Sequence, residues 1–333
     1  MSSYDLAVIG AGSAGFSAAI TAAEQGAHVA LIGHGTIGGT CVNVGCVPSK
    51  TMIRATEALH QANTGRFAGI QASGQLADWG AIVGQKDELV ASLRQSKYTD
   101  QLENYPSIDY RPGAAAFNGD GLLFDGAPLA AEKTVIACGS QASVPDIAGI
   151  KDTPFLTSTT AFALEQLPGS ILLIGGGYIG CEVAQMLARA GVAVTIACRS
   201  RLLPEGEPEI SDALRGYLRD EGLTVMDGLS YESIERTGTG VALRVETDGA
   251  AQVLQAERLL LSAGRRPNTQ GLGLEQAGIK TRANGGIAID ERMRTSRANV
   301  YAAGDVTGRD QFVYMAAHGA KIAAQNALNG DSQ

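Results

Sequence analysis

At 333 residues the chain is long enough for two or three domains with cores of their own. With 45% hydrophobic and 18% charged residues it reads as a globular protein, and its net charge of -8 argues against nucleic acid or an anionic membrane as partner. Glycine is the departure: 43 residues, close to double the usual share of about 7%, as expected of many tight turns between apolar runs.

The chain opens with an apolar strand, Asp5–Ile9, that feeds Gly10-Ala11-Gly12-Ser13-Ala14-Gly15 and a small-residue helix over Phe16–Gly26. A second strand, His28–Ile32, follows, so the GxGxxG lies in the strand–turn–helix–strand setting of a dinucleotide fold. Leu6–Ala23 carries no charge, but the first basic residue is Lys50 and small residues break the stretch. A signal peptide or membrane span is therefore not expected, and five cysteines with one redox-like spacing point to a cytoplasmic protein. One irregularity stands out. The acid expected about 20 residues after the glycine turn, for a ribose hydroxyl, is replaced by Gly33 and His34. Either another group serves the ribose or the nucleotide is held less tightly.

Next comes Gly38-Gly39-Thr40-Cys41-Val42-Asn43-Val44-Gly45-Cys46-Val47-Pro48-Ser49-Lys50. An undistorted helix turns about 100° per residue and would aim positions i and i+5 apart, so bridging Cys41 to Cys46 requires a bent segment, which Gly45 permits. Pro48 suits the first turn of a following helix, whose N-terminus, with Lys50 close by, favours a thiolate. A cysteine pair beside a dinucleotide site reads as a redox relay. The zinc alternative lacks a completing pair of ligands nearby. Cys138, Cys181 and Cys198 sit in apolar contexts and read as core residues, and His318 as a packing or capping residue.

Residues 48–103 read as mainly helical with a loop near 63–80, and short strands then end at Lys133–Ile136. The opening pattern starts again with Ser170–Ile174, Gly175-Gly176-Gly177-Tyr178-Ile179-Gly180, a helix to Ala190 and the strand Val192–Ala197. Two such units mean two dinucleotide folds. Here Cys198 stands where the acid would be, followed by Arg199 and Arg201, which favours NADPH because arginine accommodates a 2′-phosphate. The alternative is that both arginines are solvated surface charges.

These motifs, with Gly264-Arg265-Arg266-Pro267-Asn268 and Thr295–Asp305, resemble the pyridine nucleotide–disulfide oxidoreductases over nearly the whole chain. Within that family the wording of 35–46 and Gln311-Phe312-Val313-Tyr314 is similar to the mercuric reductase branch. The resemblance implies an α/β architecture with two Rossmann-like domains, a discontinuous FAD domain over 1–148 and 269–333 and an NAD(P) domain over 149–268. It implies that FAD meets Gly10, Gly12, Ser13, Ala14, Gly15, Gly33, His34, Gly39, Thr40, Gly45, Ala137, Gly139, Gly304 and Asp305. NADP would meet Gly175, Gly177, Tyr178, Ile179, Arg199, Arg201 and Gly264. Cys46 becomes the flavin-facing thiol, Cys41 the exchanging one, Lys50 and Glu182 an ion pair across the domain interface, and Tyr178 a nicotinamide gate.

Its implied activity is transfer of hydride from NADPH through FAD and the cysteine pair to Hg(II), held by Cys41 and Cys46. A reductase of a small disulfide or quinone and a flavin- and metal-binding core with little turnover are the alternatives. The family's C-terminal interface domain is missing from this sequence, which leads to the expectation of a monomer or weak homodimer.

Overall fold

The computed structural model of the chain describes residues 3–65 and 67–330. It divides into two compact units, one formed by 1–43, 90–141 and 265–333, the other by 44–89 and 142–264. The segment 44–89 thus belongs with the second unit, whereas the sequence pattern had placed it with the first.

The first unit is built on a five-stranded sheet in the order Val300–Ala302, Ala131–Ile136, Tyr4–Ile9, Val29–Gly33, Ile108–Pro112. All four pairings are parallel. Its central strands are buried on both faces, which is why they read as unbroken apolar runs rather than alternating ones. On one face the helices Ser13–Ala23 and Val313–Asn329 meet along a seam of small residues, Ala14, Ala18, Ala19 and Ala22 with Ala320, Ala323, Ala324 and Ala327. The other face carries a second core, where Ile9, Ile32 and Ile136 meet Phe117, Leu122, Leu272 and Ile279.

The second unit repeats the design: a parallel sheet ordered Thr224–Met226, Ala193–Ala197, Ser170–Ile174, Arg258–Leu261, Leu156–Thr157. The helices Cys46–Thr64, Tyr178–Arg189 and Pro208–Asp220 contribute to the core on one side, together with Trp79, whose indole N–H donates to the Leu164 carbonyl at 2.8 Å. A three-stranded antiparallel sheet, Ser230–Arg236, Val241–Thr247 and Ala250–Ala256, supplies the other core.

The duplication is visible at atomic detail. Gly10 has φ +118° and a Cβ there would strike the Ala137 carbonyl oxygen at 2.2 Å; Gly175 has φ +120° and would strike that of Ser262 at 2.2 Å. Each amide donates to the end of the next strand, Gly10 to Ile32 and Gly175 to Ala197. Both turns therefore exclude any side chain for the same reason: strand, turn and neighbouring strand meet backbone to backbone.

Candidate functional site

In the first turn, Gly12 precedes the helix Ser13–Ala23 with no side chain capping its N-terminus. A Cβ at Gly15 would lie 1.7 Å from the Gly10 carbonyl oxygen, and one at Gly39 would lie 2.6 Å from the Gly12 Cα. These glycines leave backbone amides and a helix N-terminus open toward an anionic group, the arrangement a pyrophosphate requires. Ala14 borders the same place, 3.2 Å from where a Cβ of Gly304 would stand. Asp305 accepts a hydrogen bond from the Ser140 hydroxyl at 2.6 Å and lies 3.8 Å from the Arg265 guanidinium, which also donates to Ser140. Sequence reasoning singled out Asp305 and named Arg265 only as part of a family motif; it did not bring Ser140 to the site. Gly139 has φ +71°, and a Cβ on it would meet nothing. Ala137 is buried, while His34 and Thr40 are exposed. The first fold fits a dinucleotide such as FAD.

The cysteine segment bends where its composition said it would. Cys41 lies in the short helix Gly39–Val44, Gly45 breaks the path at φ -124°, ψ -106°, and Cys46 opens the helix Cys46–Thr64 with Pro48 in its first turn. Both cysteines are half-buried. Asn43 holds this corner: its amide donates to the carbonyls of Ile37 and Gly39, and its oxygen accepts from Arg94 at 2.9 Å. Asn43 and Arg94 were not foreseen, because an asparagine between two cysteines carries no chemical signature of its own.

Lys50 lies one turn along the helix from Cys46, and its ammonium donates to both carboxylate oxygens of Glu182 at 2.7 Å. The pair was foreseen, but it falls within the second unit, not across an interface, because residues 44–89 belong there. Glu182 sits on the helix Tyr178–Arg189, one turn past Tyr178, which is exposed. The second turn also fits a dinucleotide. Gly177 precedes the helix without a side-chain cap, and a Cβ on Gly177 or Gly264 would meet nothing within 4 Å. Ile179 borders it, partly exposed. Arg199 is exposed, whereas Arg201 is committed to the loop, donating to the carbonyls of Pro204 and Gly206.

The helix Cys46–Thr64 is tied down at its far end. Glu221 accepts two 2.7 Å hydrogen bonds from Arg189 and one from Gln185, with His60 at 3.9 Å. Burial acts to raise the Glu221 carboxyl, but the Arg189 guanidinium together with His60 and Gln185 outweighs it and holds the group below its ordinary value. The remaining thiols differ from the pair. Burial pushes Cys138 and Cys198 up to about 12 and Cys181 to about 11. His318 is exposed within the last helix, away from both of its ends, so it is not a buried packing residue or a cap. Among the described residues no group of three or more His, Cys, Asp or Glu could hold a metal ion, and no helix is long and apolar enough to cross a membrane.

Two Rossmann folds, one followed by a cysteine pair at a bent helix junction, define a flavin- and nicotinamide-linked disulfide oxidoreductase architecture. The chain belongs to the pyridine nucleotide-disulphide oxidoreductase family, whose model matches residues 4–324. Members of that family use FAD and NAD(P)H. Among curated relatives it is 44% identical over 327 residues to the mercuric reductase of Staphylococcus aureus, covering 98% of this chain and 60% of that protein. It is also 44% identical over 335 residues to the mercuric reductase of Streptomyces lividans, covering 98% and 70%. Among solved structures, the Cu(II) complex of the HOCl-induced flavoprotein disulfide reductase of Escherichia coli superimposes with TM-score 0.86 at 33% identity, covering 100% of this chain and 73% of that one. The chain thus spans roughly 60% of the length of the first of these relatives.

Proposed function

We propose that this chain carries the catalytic core of an NADPH-dependent mercuric reductase, with FAD in the first fold and NADPH in the second. The observation that carries the reading is the cysteine pair at the Gly45 bend, joined to a Rossmann turn and to the Lys50–Glu182 pair. Its likeness to two mercuric reductases over 98% of the chain supports Hg(II) as the substrate.

Bound together, the two cofactors supply two-electron hydride chemistry. The protein's part is to hold and position. Gly10, Gly12, Gly15 and Gly39 would let the backbone approach the FAD pyrophosphate, and Asp305 in the segment Gly304–Thr307 would help hold the cofactor. Gly175 and Gly177 do the same for NADPH, with Arg199 free to face its 2′-phosphate while Arg201 shapes the loop. Tyr178, exposed at the second turn, would cover the nicotinamide site when the nucleotide is absent. Cys46 would be the thiol on the flavin side and Cys41 the outer one. As a dithiol the pair binds Hg(II) and releases two protons, because soft thiolates prefer soft cations, and the two thiols are protonated again when Hg(0) leaves. Lys50, oriented by Glu182, places positive charge beside the pair. Overall, NADPH and Hg(II) give NADP⁺, one proton and Hg(0).

The test is NADPH oxidation followed at the nicotinamide band with Hg(II) and excess thiol. We expect mercury-dependent turnover that Cys41→Ser and Cys46→Ser each reduce by at least about a hundredfold, the scale expected for loss of an essential group. No mercury-dependent oxidation in protein that demonstrably holds FAD overturns the reading. A second reading, reduction of a small disulfide or a quinone, is favoured by the likeness to a flavoprotein disulfide reductase. Oxidised glutathione, lipoamide and a quinone in the same assay separate the two.

A further inference from the structure

The first fold lacks the acid that normally ends its second strand, and the structure holds a replacement. Gly33 is buried at the end of Val29–Gly33. A Cβ on it would stand 2.8 Å from the Tyr110 hydroxyl oxygen, 2.9 Å from Tyr110 Cε2 and 2.8 Å from Ala11 Cβ, so a side chain here would require the phenol and Ala11 to give way. The ring arrives from the adjacent strand Ile108–Pro112, whose register sets Tyr110 beside Leu31 and Pro112 beside Gly33. Leu31 and Gly33 share a face, so the phenol reaches diagonally along it into the space a side chain at 33 would occupy. Its oxygen and Ala11 of the phosphate turn therefore both border the strand end, where a ribose is held in such folds.

We propose that the Tyr110 hydroxyl, in place of a carboxylate, holds the adenine-side ribose of the dinucleotide bound by the first fold. The proposal rests on FAD being that dinucleotide. Among the described residues the Tyr110 hydroxyl makes no hydrogen bond, so it is available to a ligand. The neighbouring carboxylate cannot substitute for it: Asp109 points to the opposite face and accepts from the Tyr4 hydroxyl. Burial raises Tyr110 above its ordinary value, so the group stays a neutral donor and acceptor across the working pH range. A phenol engages one ribose hydroxyl where a carboxylate can accept from two.

The experiment measures FAD affinity of the apoprotein by flavin fluorescence, with thermal melting of each apoprotein as the folding control. Tyr110→Phe keeps the ring and should weaken FAD about five- to tenfold, the loss of one hydrogen bond. An FAD analogue lacking the adenine-side ribose hydroxyls should bind the wild type with a similar loss and should not be weakened further by Tyr110→Phe. Gly33→Glu alone should abolish binding by steric conflict with the ring, and Gly33→Glu with Tyr110→Ala should restore it. Unchanged FAD affinity in Tyr110→Phe, or a double variant no better than Gly33→Glu alone, overturns the proposal. A wild-type apoprotein that takes up no FAD overturns the flavin assignment itself and this proposal with it.

Discussion

The five thiols of this chain fall into two chemical groups. Cys138, Cys181 and Cys198 donate to backbone carbonyls and are pushed up to between about 11 and 12 by burial, so at pH 8 about one molecule in a thousand or fewer carries a thiolate there. Cys41 and Cys46 are half-buried at a helix junction. Alkylation of the reduced protein by iodoacetamide at pH 8, read by mass spectrometry, should modify Cys41 and Cys46 well before the other three. Equal labelling of Cys198 would defeat that expectation. Lys50 and Glu182 have side chains 58% and 40% exposed, so Lys50→Met should cost under about 1 kcal/mol of stability. Its loss of NADPH-driven turnover should nonetheless be on the order of tenfold or more, an electrostatic effect on the pair that steady-state rates and melting temperature together would separate from unfolding. Residues of this kind were legible because glycine at a forced φ, paired cysteines and a lysine one turn away each have few other reasons to occur together. Tyr110 was not legible. A tyrosine within a strand reads as ordinary core, and only the register beside Gly33 shows that its hydroxyl fills the place of a missing side chain.

Among the elements, the helix Cys46–Thr64 carries two of the proposed catalytic residues at its start and a tether at its end. His60 approaches Glu221, which is clamped by Arg189 and Gln185 from the helix that also bears Glu182. Glu221→Gln breaks charged hydrogen bonds and should cost about 2 kcal/mol at pH 7. The sign of its pH dependence follows from the lowered carboxyl. The stabilisation is fully present above the unfolded glutamate value of about 4.3 and is lost as pH falls through the lower folded value. Melting temperatures of wild type and Glu221→Gln should therefore converge below about pH 4; a gap that stays constant down to pH 3 would contradict the assignment. Strand and helix identities in both Rossmann repeats followed from apolar runs punctuated by glycine, with ends displaced by a residue or a few, as at Ser13–Ala23 and Val29–Gly33. The membership of 44–89 did not follow, because helix periodicity shows that a face is apolar but not which sheet covers it.

At the scale of the whole molecule, each unit has cores of its own and should unfold in a transition of its own, and the chain's single tryptophan would report one of them. Trp79 is buried in the second unit and bonded to Leu164 there. NADP⁺ at about a hundred times its dissociation constant should raise the transition seen by Trp79 emission by about 2.7 kcal/mol. Added FAD should raise a second transition, seen by far-ultraviolet circular dichroism. A tryptophan signal indifferent to NADP⁺ would argue against nucleotide in the second fold. The seam between Ser13–Ala23 and Val313–Asn329 has its own consequence, since it joins helices from widely separated parts of the sequence. During synthesis, everything the second unit needs has left the ribosome by residue 264, whereas the first unit still waits for its edge strand at Val300–Ala302 and its last helix. A nascent chain would hold Ser13–Ala23 with its alanine face uncovered until Val313–Asn329 emerges. A premature stop near residue 312 would give a product able to fold around one nucleotide and unable to retain the other.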